Sequence, residues 1–570
     1  MQLQALFGTL AEQGLFSTIR FCARNDTMHY MGQRFQLSGL TLTISLMLAA
    51  GLLHALPWLA PRLGWVGPLG VAAGLLLATR APSLSSYLIM LTWSLVVICS
   101  AFHWSPQAMA YCVNAELPVG IAVAIPFLLW DAIRMSLGYW LASWITRDLR
   151  WSWLPTALVT ILLEHTLPSV FPWKLGFMLL EWPWWLQAVD TFGASYSTFI
   201  IFAMAGLAIN LGAFFFTLPR TANPPSTSLA TTGSSTRLLH SPSMRYWPIL
   251  VPLLLLSLNA GYSQWAIAHW TDLANNAKSL RVGLIQVDPS YLVSIGKLQA
   301  YTAQIADQVD LVCWPESSGG NYEMGLASLA DEEHVFLHSR DPERGLRPWP
   351  NPKRQLLMAG KNYLGQPDAP QVLHVTAMLV DCQEEIISRY HKQYLMPFGE
   401  YVPWEETVPG LKALFSMADH ITPGEGSNVL ASPLGARLGV MLCYEDMVPE
   451  VARNAAANGG EVLVSLINGA SFDSPFTLWQ HRMLAQMRAL ETRRYFLRCA
   501  ATGETCIISP LGNVESRLPV QQEGTLVGSV KRLTPQTLFV RFPYSATLAA
   551  SLGLCALIFT QSRSRRALGN

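Results

Sequence analysis

Long apolar stretches with few or no charges constrain this chain most, because about twenty such residues are enough for a helix to cross a bilayer. Seven of these stretches occupy the first half of the chain, and one lies near its end. They are residues 37–56, 64–79, 83–102, 118–143, 152–170, 192–217 and 246–266, followed by 544–561. The sequence therefore predicts a membrane protein with about eight transmembrane helices.

The composition agrees with this prediction, since 51% of the residues are hydrophobic and only 13% are charged. A net charge of +1 gives no reason to expect nucleic acid as a partner. The cysteines form no CxxC pair and the chain has no glycine-rich phosphate loop, so we expect neither a metal nor a nucleotide cofactor. Asp131 and Arg134 lie one helical turn apart in the fourth span. We expect them to pair, because either charge alone would be costly in hydrocarbon.

The distribution of positive charge predicts the orientation of the spans. If the N-terminus is cytoplasmic, the inner segments carry twelve arginines, whereas the short outer loops carry only Arg62 and Lys174. The inner residues are Arg20, Arg24, Arg34, Arg80, Arg147, Arg150, Arg220, Arg237, Arg245, Arg563, Arg565 and Arg566. Seven spans then place the following segment outside the cytoplasm. The first 35 residues lack the apolar core and cleavage site of a signal peptide, so we expect the first span to be retained.

The second half of the chain has a different texture. Short apolar runs such as LRVGLIQV, RLGVMLCYE and GEVLVSLING alternate with helix-compatible segments, a pattern typical of an α/β domain with a buried sheet. Ser, Thr and Pro are frequent in residues 222–243 and predict a flexible loop. The expected organisation is a cytoplasmic segment 1–36, a seven-span domain 37–266, an α/β domain 267–543, a closing helix 544–561 and a cytoplasmic tail 562–570.

Three reactive side chains each follow an apolar, strand-like run in this second half. They are Glu316 in DLVCWPESS, Lys392 in RYHKQYLMPFGEYVPW and Cys443 in MLCYEDMVPE. A carboxylate, an amine and a thiol form a set that covalent acyl chemistry could use. Plainer interpretations remain for each of them: a helix N-terminal acid, a solvated lysine at a strand end and a small apolar core residue.

These fragments resemble the Glu, Lys, Cys triad of the nitrilase superfamily. More narrowly, PFGEYVP, RALETRRYFLR (488–498) and the membrane segment FPWKLG (171–176), which the run 187–193 follows, are similar to motifs of the bacterial apolipoprotein N-acyltransferase family. The likeness covers nearly the whole chain. It implies a nitrilase-like αββα sandwich attached to an α-helical bundle in the bacterial inner membrane, with the catalytic domain facing the periplasm.

The resemblance also implies an activity and a role for each residue. A fatty acyl chain would pass from a phospholipid, through a thioester on Cys443, to the α-amino group of the diacylglyceryl cysteine of a lipoprotein. Glu316 would act as general base and acid, and Lys392 would stabilise the oxyanion. Glu400 would orient Lys392, although it could equally be a surface acid in a turn. Tyr444 and Glu445 would shape the pocket. We expect the enzyme to work as a monomer without a cofactor.

Two segments depart from the pattern of this family. Residues 468–472 lack the aspartate and tryptophan of the usual NDxWF sequence, and residues 498–503 lack the asparagine of RATNTG. The acceptor could therefore be an amine other than that of general lipoproteins. A membrane-tethered amidase and a non-enzymatic sensor or transporter with a nitrilase-derived domain are further interpretations. The large apolar half favours transfer over hydrolysis, and the retained triad argues against a sensor.

For two groups of residues, a structural role is at least as good an interpretation as a role in catalysis or substrate binding. Arg488, Glu491, Arg494 and Arg498 recur at helical spacing, which predicts a salt-bridge face. Trp173, Trp182, Trp184 and Trp185 lie in an outer loop and suit the headgroup region, where an anchoring belt is as good an interpretation as substrate guidance.

Overall fold

The computed structural model describes residues 32–78, 82–216, 246–287, 295–318, 355–364, 372–381, 386–415, 418, 420–469 and 474–568. The chain divides into two compact units, residues 1–49 and 50–570. The loop predicted for residues 222–243 and most of the N-terminal segment lie outside the described residues.

The helices of the described residues fall into a membrane half, an α/β half and a final membrane helix. They are α1 Gly32–Leu59, α2 Gly67–Ala78, α3 Leu84–Ala101, α4 Ser105–Cys112, α5 Leu117–Ile145, α6 Trp153–Thr166, α7 Val189–Phe192, α8 Ser195–Phe216, α9 Trp247–Asn276, α10 Ile295–Ile305, α11 Leu411–Leu414, α12 Pro449–Ala457, α13 Pro475–Thr492, α14 Leu538–Arg541 and α15 Ser545–Leu568. Short 3-10 helices span Pro61–Val66, Leu175–Leu179, Pro183–Leu186 and Cys443–Met447.

Six helical segments of the described residues are long and apolar enough to cross a membrane. They are Pro61–Ala78, Leu84–Ala101, Leu117–Ile145, Ser195–Phe215, Trp247–Asn276 and Ser545–Arg563. Two of the eight predicted spans are shorter: the described apolar part of α1 is Ile44–Leu59, and α6 has only 14 residues. Helix α6 ends early because Leu167 precedes a proline and takes an extended conformation, which the proline ring favours.

The expected intramembrane pair is present. Arg134 Nη1 lies 2.6 Å from Asp131 Oδ1. Asp131 also accepts hydrogen bonds from the Ser169 hydroxyl at 3.3 Å and the Trp173 indole at 3.1 Å. Trp173 therefore packs inward against a half-buried carboxylate, whereas Trp182, which is 47% exposed, remains suited to a headgroup belt.

The α/β half contains two six-stranded sheets. The strands are β1 Ser279–Gln286, β2 Leu311–Cys313, β3 Gln355–Leu364, β4 Val372–Val380, β5 Ile386–His391, β6 Val429–Ala431, β7 Arg437–Leu442, β8 Val462–Ile467, β9 Tyr495–Ala500, β10 Cys506–Ile508, β11 Val514–Arg517 and β12 Gly524–Lys531. The strand order is β12-β1-β2-β3-β4-β5 in the first sheet and β11-β10-β9-β8-β7-β6 in the second.

Three apolar clusters show that the sheets and helices form four layers. One cluster joins the facing sides of the two sheets, with Leu284 and Leu357 on one side and Val440 and Leu497 on the other. A second joins α10 to the outer face of the first sheet. A third joins α12 and α13 to the outer face of the second sheet. This αββα arrangement is the nitrilase-like sandwich that the resemblance implies.

Helix α13 connects the sandwich to the membrane half. Its Ala485 and Ala489 pack on the second sheet, whereas Met483 and Met487 belong to the cluster that contains the membrane helices. A helix that is buried on both sides cannot show a simple amphipathic stripe. Beyond its C-terminus, Arg493 binds Asp190 Oδ2 at 2.9 Å and the Gln187 side chain at 2.7 Å, so the run 187–193 is a docking surface for the sandwich.

Candidate active site

Three strands direct Glu316, Lys392 and Cys443 to one edge of the sandwich. Strand β2 is parallel to β3, and β4 is antiparallel to both β3 and β5, so β2 and β5 run in the same direction. Glu316 follows the end of β2 and Lys392 follows the end of β5, which places both at the same edge of the first sheet. Cys443 follows the end of β7 in the second sheet.

Cys443 occupies a strained position at a sharp turn. Strand β7 ends at Leu442, and a 3-10 helix begins at Cys443 itself, whose φ is +47°. A non-glycine residue in this left-handed region costs about 1–3 kcal/mol and persists only where its surroundings hold it. The turn keeps part of Cys443 accessible while its thiol lies in the buried cluster, where it donates to the Asn468 carbonyl oxygen at 3.8 Å.

Glu316 also contacts the backbone of Asn468. Its Oε2 accepts the backbone N–H of Asn468 at 3.1 Å, and its carboxylate is also hydrogen-bonded to the Cys443 side chain. Ser317, the next residue, has a φ of +63°, which marks a second strained turn. The backbone of Asn468 therefore binds both the Glu316 carboxyl group and the Cys443 thiol and holds them close together.

Lys392 completes the cluster. Its side chain is 1% exposed, with Nζ 2.6 Å from Glu400 Oε1 and 4.0 Å from Glu316 Oε1. The second oxygen of Glu400 accepts a hydrogen bond from the backbone N–H of Met396 at 2.7 Å. This bond holds the Glu400 carboxylate in place, and the carboxylate in turn holds Lys392. The structure thus brings Glu316, Lys392, Cys443 and Glu400 together.

Burial and charge shift the proton affinities of this cluster. Burial raises the pKa of Glu316 above its ordinary value, and the Lys392 ammonium only partly opposes this. Burial also raises the pKa of Cys443 well above its ordinary value, and the Glu316 charge adds to the effect. Burial alone would lower the pKa of Lys392, but Glu400 and Glu316 together outweigh it and raise that pKa. These shifts favour a protonated thiol on Cys443 and an ammonium ion on Lys392, and they increase the proton affinity of the Glu316 carboxyl group.

Glu445 ties the nucleophile turn to the lysine loop. It is fully buried, and its Oε1 accepts from the Tyr390 hydroxyl at 2.6 Å and from the backbone N–H groups of Gln393 and Tyr394 at 2.8 and 3.0 Å. Its Oε2 accepts the backbone N–H of Leu442 at 2.9 Å. Its contacts point to a positioning role rather than to shaping of a pocket.

Tyr444 ties the same turn to the membrane half. Its hydroxyl donates to the Val170 carbonyl oxygen at 2.5 Å. Val170 lies in an apolar cleft, named here the portal cleft, between the membrane helices and the loop that carries Glu400. Its lining includes Phe102, Trp104, Phe127, Val170, Phe171, Trp173, Met396 and Phe398. The candidate site therefore adjoins hydrocarbon-like walls.

A further buried cluster of polar residues lies behind Cys443, and the sequence did not predict it. His481 Nε2 lies 2.6 Å from Asp446 Oδ1, and Arg498 Nε lies 3.5 Å from Asp446 Oδ2. The His481 ring also hydrogen-bonds to the backbone of Cys443. The available signal was His481, a polar residue on the face of α13 that packs on the second sheet. The sequence alone does not show which helix is buried on both sides, so this signal could not be recognised.

The predicted salt-bridge face is correct for one pair and wrong for the other two residues. Arg488 Nε lies 2.9 Å from Glu491 Oε2 in α13. The helix ends at Thr492, however, because Arg493 adopts a left-handed conformation with φ +53°. Arg494 therefore bonds to backbone carbonyls, among them that of Gly460, and Arg498 lies inside β9.

The segment 468–472 departs from the pattern of the family. Its residues 470–472 lie outside the described residues.

Comparisons with known proteins agree with this architecture. The carbon-nitrogen hydrolase family model matches residues 267–537. A protein of Azotobacter vinelandii named apolipoprotein N-acyltransferase is 33% identical over 267 residues, which cover 45% of this chain and 47% of that relative. Proteins of the same name from Pseudomonas aeruginosa and Shewanella oneidensis are 28% and 23% identical, covering 81% and 89% of this chain and 83% and 93% of theirs.

Among solved structures, an amidase of the nitrilase superfamily from Nesterenkonia AN1 is 21% identical, with a TM-score of 0.35. The match covers 49% of this chain and 99% of that protein. A carbon-nitrogen hydrolase from Helicobacter pylori G27 is 14% identical, with a TM-score of 0.33, over 45% of this chain and 90% of its own.

The Azotobacter relative is matched over about half its length, but the Pseudomonas and Shewanella relatives are matched across both the membrane half and the sandwich. The similarity to proteins of this one name therefore extends over both halves of the chain. Residues 267–537 match the carbon-nitrogen hydrolase family, and the chain is similar across both halves to proteins named apolipoprotein N-acyltransferase.

Proposed function

We propose that this protein is an N-acyltransferase that moves a fatty acyl chain from a phospholipid to the α-amino group of the diacylglyceryl cysteine of a lipoprotein. Glu316, Lys392 and Cys443 are its catalytic residues. The observation that carries the proposal is the meeting of this buried cluster with the portal cleft. The Tyr444–Val170 hydrogen bond connects them directly. The names of the relatives supply the acceptor.

In the first half-reaction, Cys443 attacks the ester carbonyl carbon of the phospholipid. Its thiol proton passes to Glu316 as the carbon–sulfur bond forms, because the raised pKa of Cys443 leaves little thiolate beforehand. The Lys392 ammonium stabilises the oxyanion of the tetrahedral intermediate. The intermediate then expels the lysophospholipid alkoxide, to which Glu316 returns the proton. The products are a thioester on Cys443 and a lysophospholipid.

In the second half-reaction, the neutral α-amine of the acceptor attacks the thioester carbonyl. Glu316 accepts the proton that the attacking nitrogen loses, and Lys392 again faces the oxyanion. The carbon–sulfur bond breaks, Cys443 recovers its proton from Glu316, and an amide remains on the acceptor. The mainly apolar portal cleft, which Tyr444 joins to the nucleophile turn, would favour this route over hydrolysis because it offers water few partners.

The same proposal includes a topology. The chain would have about eight spans, with domains at 37–266, 267–543 and 544–561 and cytoplasmic segments at 1–36 and 562–570. The sandwich would face the periplasm, and the protein would act as a monomer in the inner membrane. Six apolar helices and the arginine distribution support this arrangement.

Labelling of single cysteines tests the topology in a background without the native cysteines. In intact spheroplasts, a membrane-impermeant maleimide should label Glu425→Cys, whose site is exposed in the sandwich. Ser562→Cys, near the C-terminus, should be labelled only after permeabilisation. The reverse pattern would place the sandwich in the cytoplasm and end the proposal.

The activity is tested with purified protein, phospholipid and a synthetic diacylated lipopeptide. We expect an N-acylated lipopeptide and one lysophospholipid for each product, and neither with Cys443→Ala. An amidase would instead release ammonia or a free amine from small amides and leave the lipopeptide unchanged. If the enzyme acylates itself but leaves the lipopeptide unmodified, the lipoprotein acceptor is excluded and another amine must be the substrate.

A further inference from the structure

A second and larger cavity lies in the membrane half, away from the portal cleft. Its volume is about 520 Å³, within the range of roughly 300–1,000 Å³ that is usual for small-molecule sites. It is named here the bundle cavity, and its walls include Leu158, Tyr196, Phe199, Leu258, Tyr262 and Ala549. The residues that line it include none of those that line the portal cleft. The proposed acyl transfer makes no use of it.

The bundle cavity lies in the part of the membrane half nearest the sandwich. Tyr196 and Phe199 belong to the first two turns of α8, and Ala546 and Ala549 belong to the first two turns of α15. Helix α15 begins directly after α14, which packs against the sandwich through α12 and α13. Residues so close to the sandwich would face the leaflet on its side of the membrane.

The chemistry of the walls selects an apolar occupant. Most of the lining is aliphatic or aromatic, and each polar side chain in it already has a protein partner. The Tyr262 hydroxyl donates to Asp190 at 2.6 Å, and the Tyr196 hydroxyl donates to Asn259 at 3.0 Å. Asn259 in turn donates to the Trp185 carbonyl oxygen. The Thr191 hydroxyl lies 3.2 Å from Asp190, to which it donates. Water would gain little here, because an ordered water needs two to four polar partners.

We propose that the bundle cavity holds an acyl chain of a resident membrane phospholipid that is not the acyl donor. The cavity is open to the outside of the helix bundle, since its lining residue Leu258 is 61% exposed, and its apolar lining would lose contacts if nothing filled it. The bilayer supplies hydrocarbon at this depth, so an acyl chain fills the space without an unmet polar group on either side. No bond is made or broken at this site.

The position of the cavity gives the lipid a structural role. Tyr262 and Thr191 line it and also hold Asp190, whose other oxygen binds Arg493 of the sandwich. An acyl chain packed against these side chains supports the wall behind the Asp190–Arg493 ion pair. The resident lipid therefore stabilises the junction between membrane half and sandwich.

Photolabelling tests the site in the full-length protein. The probe is a phosphatidylethanolamine with a diazirine in its acyl chain, incorporated into nanodiscs. The host protein is Cys443→Ala, so labelling does not depend on acyl transfer or on the proposed function. We expect labelled peptides from α8, α9 and α15 in addition to any from the portal cleft. Labelling confined to the portal cleft or to helix faces outside the cavity would overturn the proposal.

A cavity-filling substitution supplies the matched comparison. Ala549→Phe adds a ring at the rim of the cavity, where Ala549 is exposed, so the ring can enter the space without displacing packed atoms. Ala556→Phe makes the same change at an exposed site two turns further along α15, outside the lining. We expect loss of the α8 and α9 labels in Ala549→Phe and unchanged labelling in Ala556→Phe. Equal labelling in both variants would refute the site.

Native mass spectrometry gives a second readout. Wild-type protein released gently from membranes should retain one phospholipid more than Ala549→Phe does, and removal of this lipid should lower the melting temperature. Equal lipid retention by the two variants would contradict a resident lipid. The acyl-transfer assay remains separate, since neither Ala549 nor Ala556 lines the portal cleft.

Discussion

Lys392 and Glu400 form a buried ion pair in which Nζ lies 2.6 Å from Oε1. The other carboxylate oxygen is held by a backbone N–H, so the pair is fixed in one geometry. In the proposed mechanism, Lys392 would therefore face the reacting carbonyl with its position and charge set before substrate arrives. Such preorganisation is what oxyanion stabilisation requires.

Replacing Glu400 with Gln should reduce kcat by about 10²-fold, because a misplaced ammonium group no longer meets the oxyanion. The KM for phospholipid should change little, since Glu400 does not line the portal cleft. Steady-state kinetics of lysophospholipid release measure both constants. Glu406→Gln, at an exposed site in the same loop, is the control and should retain wild-type rates. A normal kcat in Glu400→Gln would exclude the positioning role.

The acid limb of the pH–rate profile should report the pKa of Glu316. The general base must be ionised, and burial raises its pKa above the ordinary value of 4.5. Consequently kcat/KM should fall as the pH drops through a value above 4.5. Lys392, whose pKa is raised, should stay protonated and cause no loss on the alkaline side until beyond the ordinary lysine range. A profile that is flat down to pH 4.5 would show that Glu316 is not the base.

Glu445→Ala should destabilise the sandwich strongly. The substitution leaves the backbone N–H groups of Leu442, Gln393 and Tyr394 without their acceptor, at a cost of about 1–3 kcal/mol each. Thermal unfolding in detergent should show a much lower melting temperature. Glu450→Ala, an exposed acid in the first turn of α12, is the control and should cost less than about 1 kcal/mol. Similar melting temperatures for the two variants would contradict the contact network.

Gly176→Ala should disrupt the packing of the FPWKLG segment on α8. A Cβ at Gly176 would lie 2.1 Å from the Ser197 backbone carbonyl, which cannot move aside as a flexible side chain could. We expect a loss of folded protein or a large fall in melting temperature. Gly212→Ala, in α8 with no atom within 4 Å of the added Cβ, should be neutral or stabilising by about 0.5–1 kcal/mol. A stable Gly176→Ala protein would show that the close approach does not exist.

The sequence predicted much of the fold because its signals are local. Length and apolarity identify the long spans α3, α5, α8 and α9, and the strand-like runs identify β1, β7 and β8. Strand β5 was predicted only as the run before Lys392, without bounds, since IISRYH mixes apolar and charged residues and its burial depends on β4 beside it. The shortened α6 reflects a proline that the apolarity scan ignores.

Within the candidate site, side chains were easier to predict than geometry. Glu316, Lys392, Cys443 and Glu400 stand out by residue type and by motif. Asn468 contacts Glu316 and Cys443 through its backbone, so residue type carries no signal for these two contacts. The role of Arg493 depends on a left-handed turn after α13 and on a partner 303 residues away in the chain. Such contacts appear only once the two halves are packed together.

Intact-protein mass spectrometry after mixing the enzyme with a phospholipid of defined acyl chain tests the central claim most directly. We predict a mass increase equal to one acyl group. It should map to Cys443, be absent from Cys443→Ala and disappear when a lipopeptide amine is added. If lysophospholipid accumulates without an adduct on Cys443, or if the adduct maps to another residue, the thioester mechanism is contradicted.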